Sequence, residues 1–152
     1  MLYYNMISNF IKIVIILLPL ILGLGSGIFY SPKDIPKPKT RLNPPGWVFG
    51  VVWPILYLLL GYSSYLIYTS NAKQHNPVFI LYIIHLLLLT AWWPFFVKYP
   101  GFKVYAFWAL IFILLYACIL FNLYYKINKR AAYCLIPYIL WLSFASYLSY
   151  ST

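Results

Sequence analysis

The chain has 152 residues, of which 64% are hydrophobic and 22% aromatic, while charged residues make up 8%, far below the roughly one quarter usual for soluble domains. Such a chain cannot clothe a soluble domain in polar surface, and its charges sit in short clusters between long uncharged runs, the pattern a bilayer imposes. Eleven Lys and Arg against the single acid Asp34 give a formal charge of +10. These basic residues fall between apolar runs and gather into no helical or strand stripe, so they point to lipid phosphates and away from nucleic acid.

The pattern predicts an all-α integral membrane protein: one domain over residues 1–152, built as a bundle of five transmembrane helices at 11–30, 46–68, 77–97, 104–125 and 131–150. The first apolar run proper, Ile13 to Tyr30, is long enough at about 1.5 Å per residue to cross most of a hydrocarbon core of about 30 Å. A signal peptide is the competing reading, supported by the small residues Gly23, Gly25, Ser26 and Gly27 but opposed by run length and by a basic region reduced to Lys12. Gly23 and Gly27 also form a small-xxx-small pair, which permits close helix packing within the chain or in a homodimer.

A proline-rich loop is expected at 31–45, because Pro32, Pro36, Pro38, Pro44 and Pro45 fix φ and remove backbone donors. At its end, Asn43 is an N-cap type of residue and Pro44 and Pro45 suit a first helical turn, so the second span starts there. Pro54 inside that span frees a backbone carbonyl, which membrane helices tolerate when neighbours satisfy it. Two short connections, 69–76 and 98–103, bound the third span, and Lys126, Lys129 and Arg130 mark the boundary before the fifth. The basic residues divide almost evenly between the two faces, which leaves orientation undecided.

Tyr3, Tyr4, Tyr30, Tyr68, Tyr99, Tyr124, Tyr125 and Tyr150 fall at run ends, as interfacial anchors do. Aromatics nearer the span centres carry more information, since a buried indole or phenol needs a partner for its polar hydrogen. On the second span Phe49, Trp53 and Tyr57 recur at every fourth residue and share a face; Pro137, Trp141, Ala145 and Leu148 repeat similarly on the fifth. Each face sets a large indole beside smaller residues, leaving a slot for a planar ring, although ordinary packing produces the same periodicity.

The third span carries His85, Leu89, Trp92, Trp93 and Phe96. An imidazole inside a membrane either serves a site, by ligating a haem iron or bonding a propionate, or is a neutral group bonded to a neighbouring helix. With Asp34 as the only carboxylate side chain, a two-carboxylate mechanism is excluded; there is no phosphate-binding glycine loop, and the serines lack a plausible His and acid partner. Cys118 and Cys134 have no CxxC spacing and read as small hydrophobes. Neither a catalytic residue nor a metal site nor an obligatory cofactor is predicted.

Three segments resemble one known family. Asn43-Pro44-Pro45-Gly46-Trp47-Val48-Phe49 through Val52-Trp53-Pro54-Ile55-Leu56-Tyr57 is similar to the start of the second helix in the TspO/MBR (translocator protein, tryptophan-rich sensory protein) family. Trp92-Trp93-Pro94-Phe95-Phe96 resembles that family's Trp-x-Pro-x-Phe segment, and Ile136-Pro137-Tyr138 through Trp141-Leu142-Ser143-Phe144-Ala145 resembles its fifth helix. The resemblance implies a five-helix bundle, often dimeric, that binds porphyrins such as protoporphyrin IX or haem, and in some members cholesterol. It puts Trp53 and Trp141 where the family has pocket tryptophans, implicated in tetrapyrrole binding and in light-dependent porphyrin breakdown.

Together with those two indoles, Phe49, Tyr57, His85, Leu89, Trp92, Phe96, Ala145 and Leu148 make up the expected ligand site, with Pro44 and Pro45 in the lid over it. The chain also departs from the family. His85 and Leu89 stand where relatives usually carry Gln and Asn, and Leu42 stands where a loop tryptophan is common. The cholesterol-recognition pattern after the fifth helix lacks its basic residue. The implied function is a sensor, receptor or transporter of tetrapyrroles, with a photochemical porphyrin degrader and an empty structural bundle as the alternatives.

Overall fold

The computed structural model of the protein describes residues 2–29, 40, 42–70, 75–98 and 103–151. Among these lie five helices, α1 (Leu2–Phe29), α2 (Gly46–Tyr68), α3 (His75–Lys98), α4 (Lys103–Ile127) and α5 (Lys129–Tyr150). Each is long and apolar enough to cross a membrane, so the protein is a multi-pass membrane protein. Helices are the form this environment demands, because hydrocarbon offers no partner to an unpaired backbone group. Most of the expected proline-rich loop, 31–39 and 41, falls outside the described residues.

Three boundaries differ from the sequence expectation. Helix α1 extends back to Leu2, ahead of its membrane-crossing stretch Asn9–Ile28, since residues 2–10 contain no Pro or Gly to stop a helix once the apolar run has nucleated it. Helix α2 is capped by Pro45 in extended conformation with no side-chain bond. Asn43 is therefore not the cap: the two prolines that follow hold the chain extended, and helical geometry begins only at Gly46. The basic stretch before α5 is helical almost throughout, with Asn128 as the sole residue between α4 and α5. Its side chain accepts from the backbone N–H groups of Arg130 and Ala131, which starts the new helix within one residue of the old one's end.

Helix α1 packs on α2 and α3, α2 on α5, α5 on α4 and α4 on α3, closing a ring in the order α1, α2, α5, α4, α3, with α2 also touching α3 across the interior. Within lipid the apolar effect does not drive helices together, so close packing and interhelical hydrogen bonds must do so. Gly61 shows the first of these. A Cβ there would overlap the backbone carbonyl of Ile16, so α1 and α2 approach backbone to backbone at this point. Gly23 likewise leaves room for the Tyr57 ring, whereas Gly27 faces open space. Half of the Gly23/Gly27 pair thus serves packing inside the chain.

Hydrogen bonds supply the second contribution, and they lie in the bundle interior. Ser63 Oγ donates to the carbonyl of Ala131 at 2.7 Å, and the Ser64 and Tyr124 hydroxyls pair at 2.9 Å, joining α2 to α5 and to α4. All four of these residues are fully buried. Tyr116 Oη on α4 donates to the carbonyl of Leu81 on α3. Around these bonds an apolar core of Leu56, Leu60, Leu86, Leu110, Leu135 and Leu142 fills the ring.

Candidate functional site

The two tryptophans singled out from sequence meet in space. Trp53 of α2 and Trp141 of α5 lie edge to face, ring centroids 6.4 Å apart and planes at 89°. Phe49, one turn before Trp53, also meets Trp141 edge to face at 5.7 Å, and Tyr57, one turn after, stacks on Trp53 at 5.4 Å. Phe144 adds a tilted contact to Trp141 at 5.5 Å. The i, i+4, i+8 spacing on α2 therefore builds a continuous aromatic strip against which the α5 indole sits. Edge-to-face geometry is what ring quadrupoles favour, each pair contributing about 0.5–1.5 kcal/mol beyond its area.

This geometry refines the expected slot. A flat ring sandwiched between two parallel indoles needs about 7 Å between them, twice the usual carbon contact distance. Perpendicular rings at 6.4 Å do not provide that. A planar guest would lie against one indole face and meet the other at its edge, unless Trp141 turns.

The polar atoms of the strip are informative. Trp141 Nε1 is buried yet has no hydrogen-bond partner among the described residues, and an unmet buried donor costs about 1–3 kcal/mol. Trp92 is different: its Nε1 donates to the carbonyl of Ala106 at 2.8 Å, so this indole staples α3 to α4. Leu89, Ala145 and Leu148 are buried, with Leu89 and Ala145 part of the main core. The Phe96 side chain lies outside the described ones. Of the two lid prolines, Pro45 is exposed and Pro44 half-buried, and near them the Thr40 and Tyr147 hydroxyls pair at 2.9 Å, tying the α1–α2 connection to α5.

His85 belongs to a second cluster. Its Nε2 and Tyr138 Oη are 2.8 Å apart, its ring stacks on Tyr116 at 5.6 Å, and the residue has no exposed surface. Of the two roles open to this imidazole, the geometry displays the interhelical one: α3 is tied through it to α5. The nitrogen easiest for a haem iron to reach, Nε2, is held by the phenol, while Nδ1 has no partner among the described residues. Sequence reasoning missed Tyr138, Tyr116 and Ser64, and it placed Tyr124 among the interfacial anchors, whereas that residue is fully buried with its hydroxyl paired to Ser64. The available signal was the need of a membrane-buried imidazole for a partner, but Tyr138 lies 53 residues away, and seventeen tyrosines competed for the role.

A sequence profile of the TspO/MBR family matches residues 15–152. The chain is similar to a tryptophan-rich protein TspO of Chlorobaculum tepidum, 28% identical over 90% of this chain and 94% of that protein. It is similar to a translocator protein homolog of Schizosaccharomyces pombe, 33% identical over 88% of this chain and 84% of that one. The human translocator protein is 35% identical over 74% of this chain and 68% of its own length.

Proposed function

The chain belongs to the TspO/MBR family, and we propose that it binds a porphyrin or related tetrapyrrole against the Phe49, Trp53, Tyr57 and Trp141 strip, acting as a membrane sensor, receptor or transporter. One observation carries the reading: partly buried indoles from two separate spans converge, and one presents a buried N–H with no acceptor among the described residues. Structural packing alone gives no reason to leave that donor unmet, whereas Trp92 shows how the same bundle satisfies an indole.

A guest with a flat apolar body and an acceptor at its edge matches both features. The macrocycle would gain area and π contacts from the Trp53 and Trp141 rings, and a ring substituent or carboxylate oxygen would accept from Trp141 Nε1. Sterols offer the apolar body but not the π face, and they rank behind tetrapyrroles. Binding of this kind requires no catalytic residue.

Titration of protoporphyrin IX into the purified protein, followed by tryptophan fluorescence, tests the proposal. Saturable quenching is expected, weakened about tenfold, equivalent to roughly 1.4 kcal/mol, in the Trp53→Phe plus Trp141→Phe variant. Unchanged affinity in that variant would remove the site. Illumination in the presence of oxygen separates binding from photochemical breakdown: a carrier releases the macrocycle intact, and a degrader does not.

A further inference from the structure

The end of the bundle where α4 turns into α5 carries a feature that tetrapyrrole binding does not use. Lys126, Lys129 and Arg130 are all exposed there, within five residues of one another. Beside them stands an aromatic pad: Tyr125 and Tyr133, 40% and 52% exposed, meet edge to face at 6.1 Å, and Phe121 stacks beneath Tyr125. The Lys129 ammonium sits 5.4 Å above the Tyr125 ring, which holds one cation at a fixed place beside the pad. The only acidic side chain of the protein is Asp34, so among the described residues no acidic side chain is there to pair with these cations.

We propose that this α4–α5 corner is a docking site for the headgroup of an anionic phospholipid of the surrounding bilayer. The chemistry fits a lipid in two ways at once. The three cations offer charge to a phosphate, while the tyrosines stand at the ends of the α4 and α5 spans, and such amphipathic rings favour the glycerol and upper acyl region. Side chains must make the recognition, because the first amides of α5 are already taken by Asn128, whose oxygen accepts from Arg130 N and Ala131 N. The helix N-terminus therefore has little left to offer an anion directly, and the site is a salt-sensitive cluster of three cations.

Native mass spectrometry of the full chain in detergent, with added dioleoyl-phosphatidylglycerol or dioleoyl-phosphatidylcholine, tests the inference independently of any porphyrin. The protein is expected to retain the anionic lipid in preference to the zwitterionic one. K126Q/K129Q/R130Q should weaken phosphatidylglycerol binding about tenfold, whereas K33Q/K37Q/K39Q, which removes the same charge from the α1–α2 connection, should leave it unchanged. Both triple variants change polar positions outside the apolar runs, and unaltered circular dichroism checks that the fold survives. Equal losses in the two variants would reduce the effect to net charge and overturn the site. So would the absence of a lipid preference, or full displacement of the lipid by millimolar glycerol phosphate, which would make it a free-anion site.

Discussion

The bundle interior holds two aromatic-polar clusters that solve the same problem differently. At His85–Tyr138 and Ser64–Tyr124, groups from α3 and α5 and from α2 and α4 are joined pairwise by hydrogen bonds and fully buried, while Tyr116 stacks on His85 and donates to the Leu81 carbonyl. Around Phe49, Trp53, Tyr57 and Trp141 the rings touch each other, stay only partly buried, and exchange no side-chain hydrogen bond with one another, while Trp141 Nε1 has no partner. In a membrane, where helix association relies on packing and polar contacts, the first cluster has the character of a fastener. The second keeps contact area and a donor in reserve for a guest. The separation is incomplete, since His85 Nδ1 is also unpaired.

Substitutions ranked by expected effect sharpen this division. Gly61→Val should be the most damaging, because its side chain would be forced into the Ile16 backbone; a loss of about 3 kcal/mol or more is expected from overpacking, read as a large drop in thermal stability in detergent. Tyr138→Phe removes the one side-chain hydrogen-bond partner of His85 among the described residues, at a cost of about 2 kcal/mol. It should lower the unfolding temperature while changing protoporphyrin affinity less than threefold, a factor worth roughly 0.6 kcal/mol. If Tyr138→Phe instead abolishes binding and spares stability, the two clusters have been assigned the wrong way round.

Trp141→Phe should show the reverse pattern. It deletes an unpaired donor, so stability should change by less than about 1 kcal/mol, and tetrapyrrole affinity should fall several-fold. Smallest of all, Tyr147→Phe weakens the exposed tie to Thr40. About 0.5 kcal/mol at most is at stake in such a solvent-facing bond, so faster ligand association with nearly constant affinity is expected from stopped-flow fluorescence.

The spans were legible because a bilayer leaves a plain mark on sequence: twenty or so apolar residues, then a cluster of charge. Their order around the ring was not. Lipid-facing and core-facing surfaces are both apolar, so hydrophobic periodicity fails to say which side of α2 meets α5. The side was set by small and polar residues such as Gly61, Ser63 and Ser64, which a periodicity count passes over. Helix ends failed for local reasons, as when Asn128 alone turned the chain between α4 and α5. The pairing of Trp53 with Trp141 was foreseen through family resemblance, because spacing along each helix carries no information about which helix faces it. The link from His85 to Tyr138 had neither support.

The central claim, that the α2 and α5 indoles receive a guest, is tested most directly by fluorine NMR of protein labelled with 5-fluorotryptophan. Trp47 and Trp108 are 69% and 61% exposed and provide reference signals on the outer surface. On addition of protoporphyrin IX, the Trp53 and Trp141 resonances should shift together and saturate at one equivalent per chain, with Trp47 and Trp108 unmoved. Shifts confined to Trp47 and Trp108 would place the porphyrin on the outside of the bundle and contradict the account.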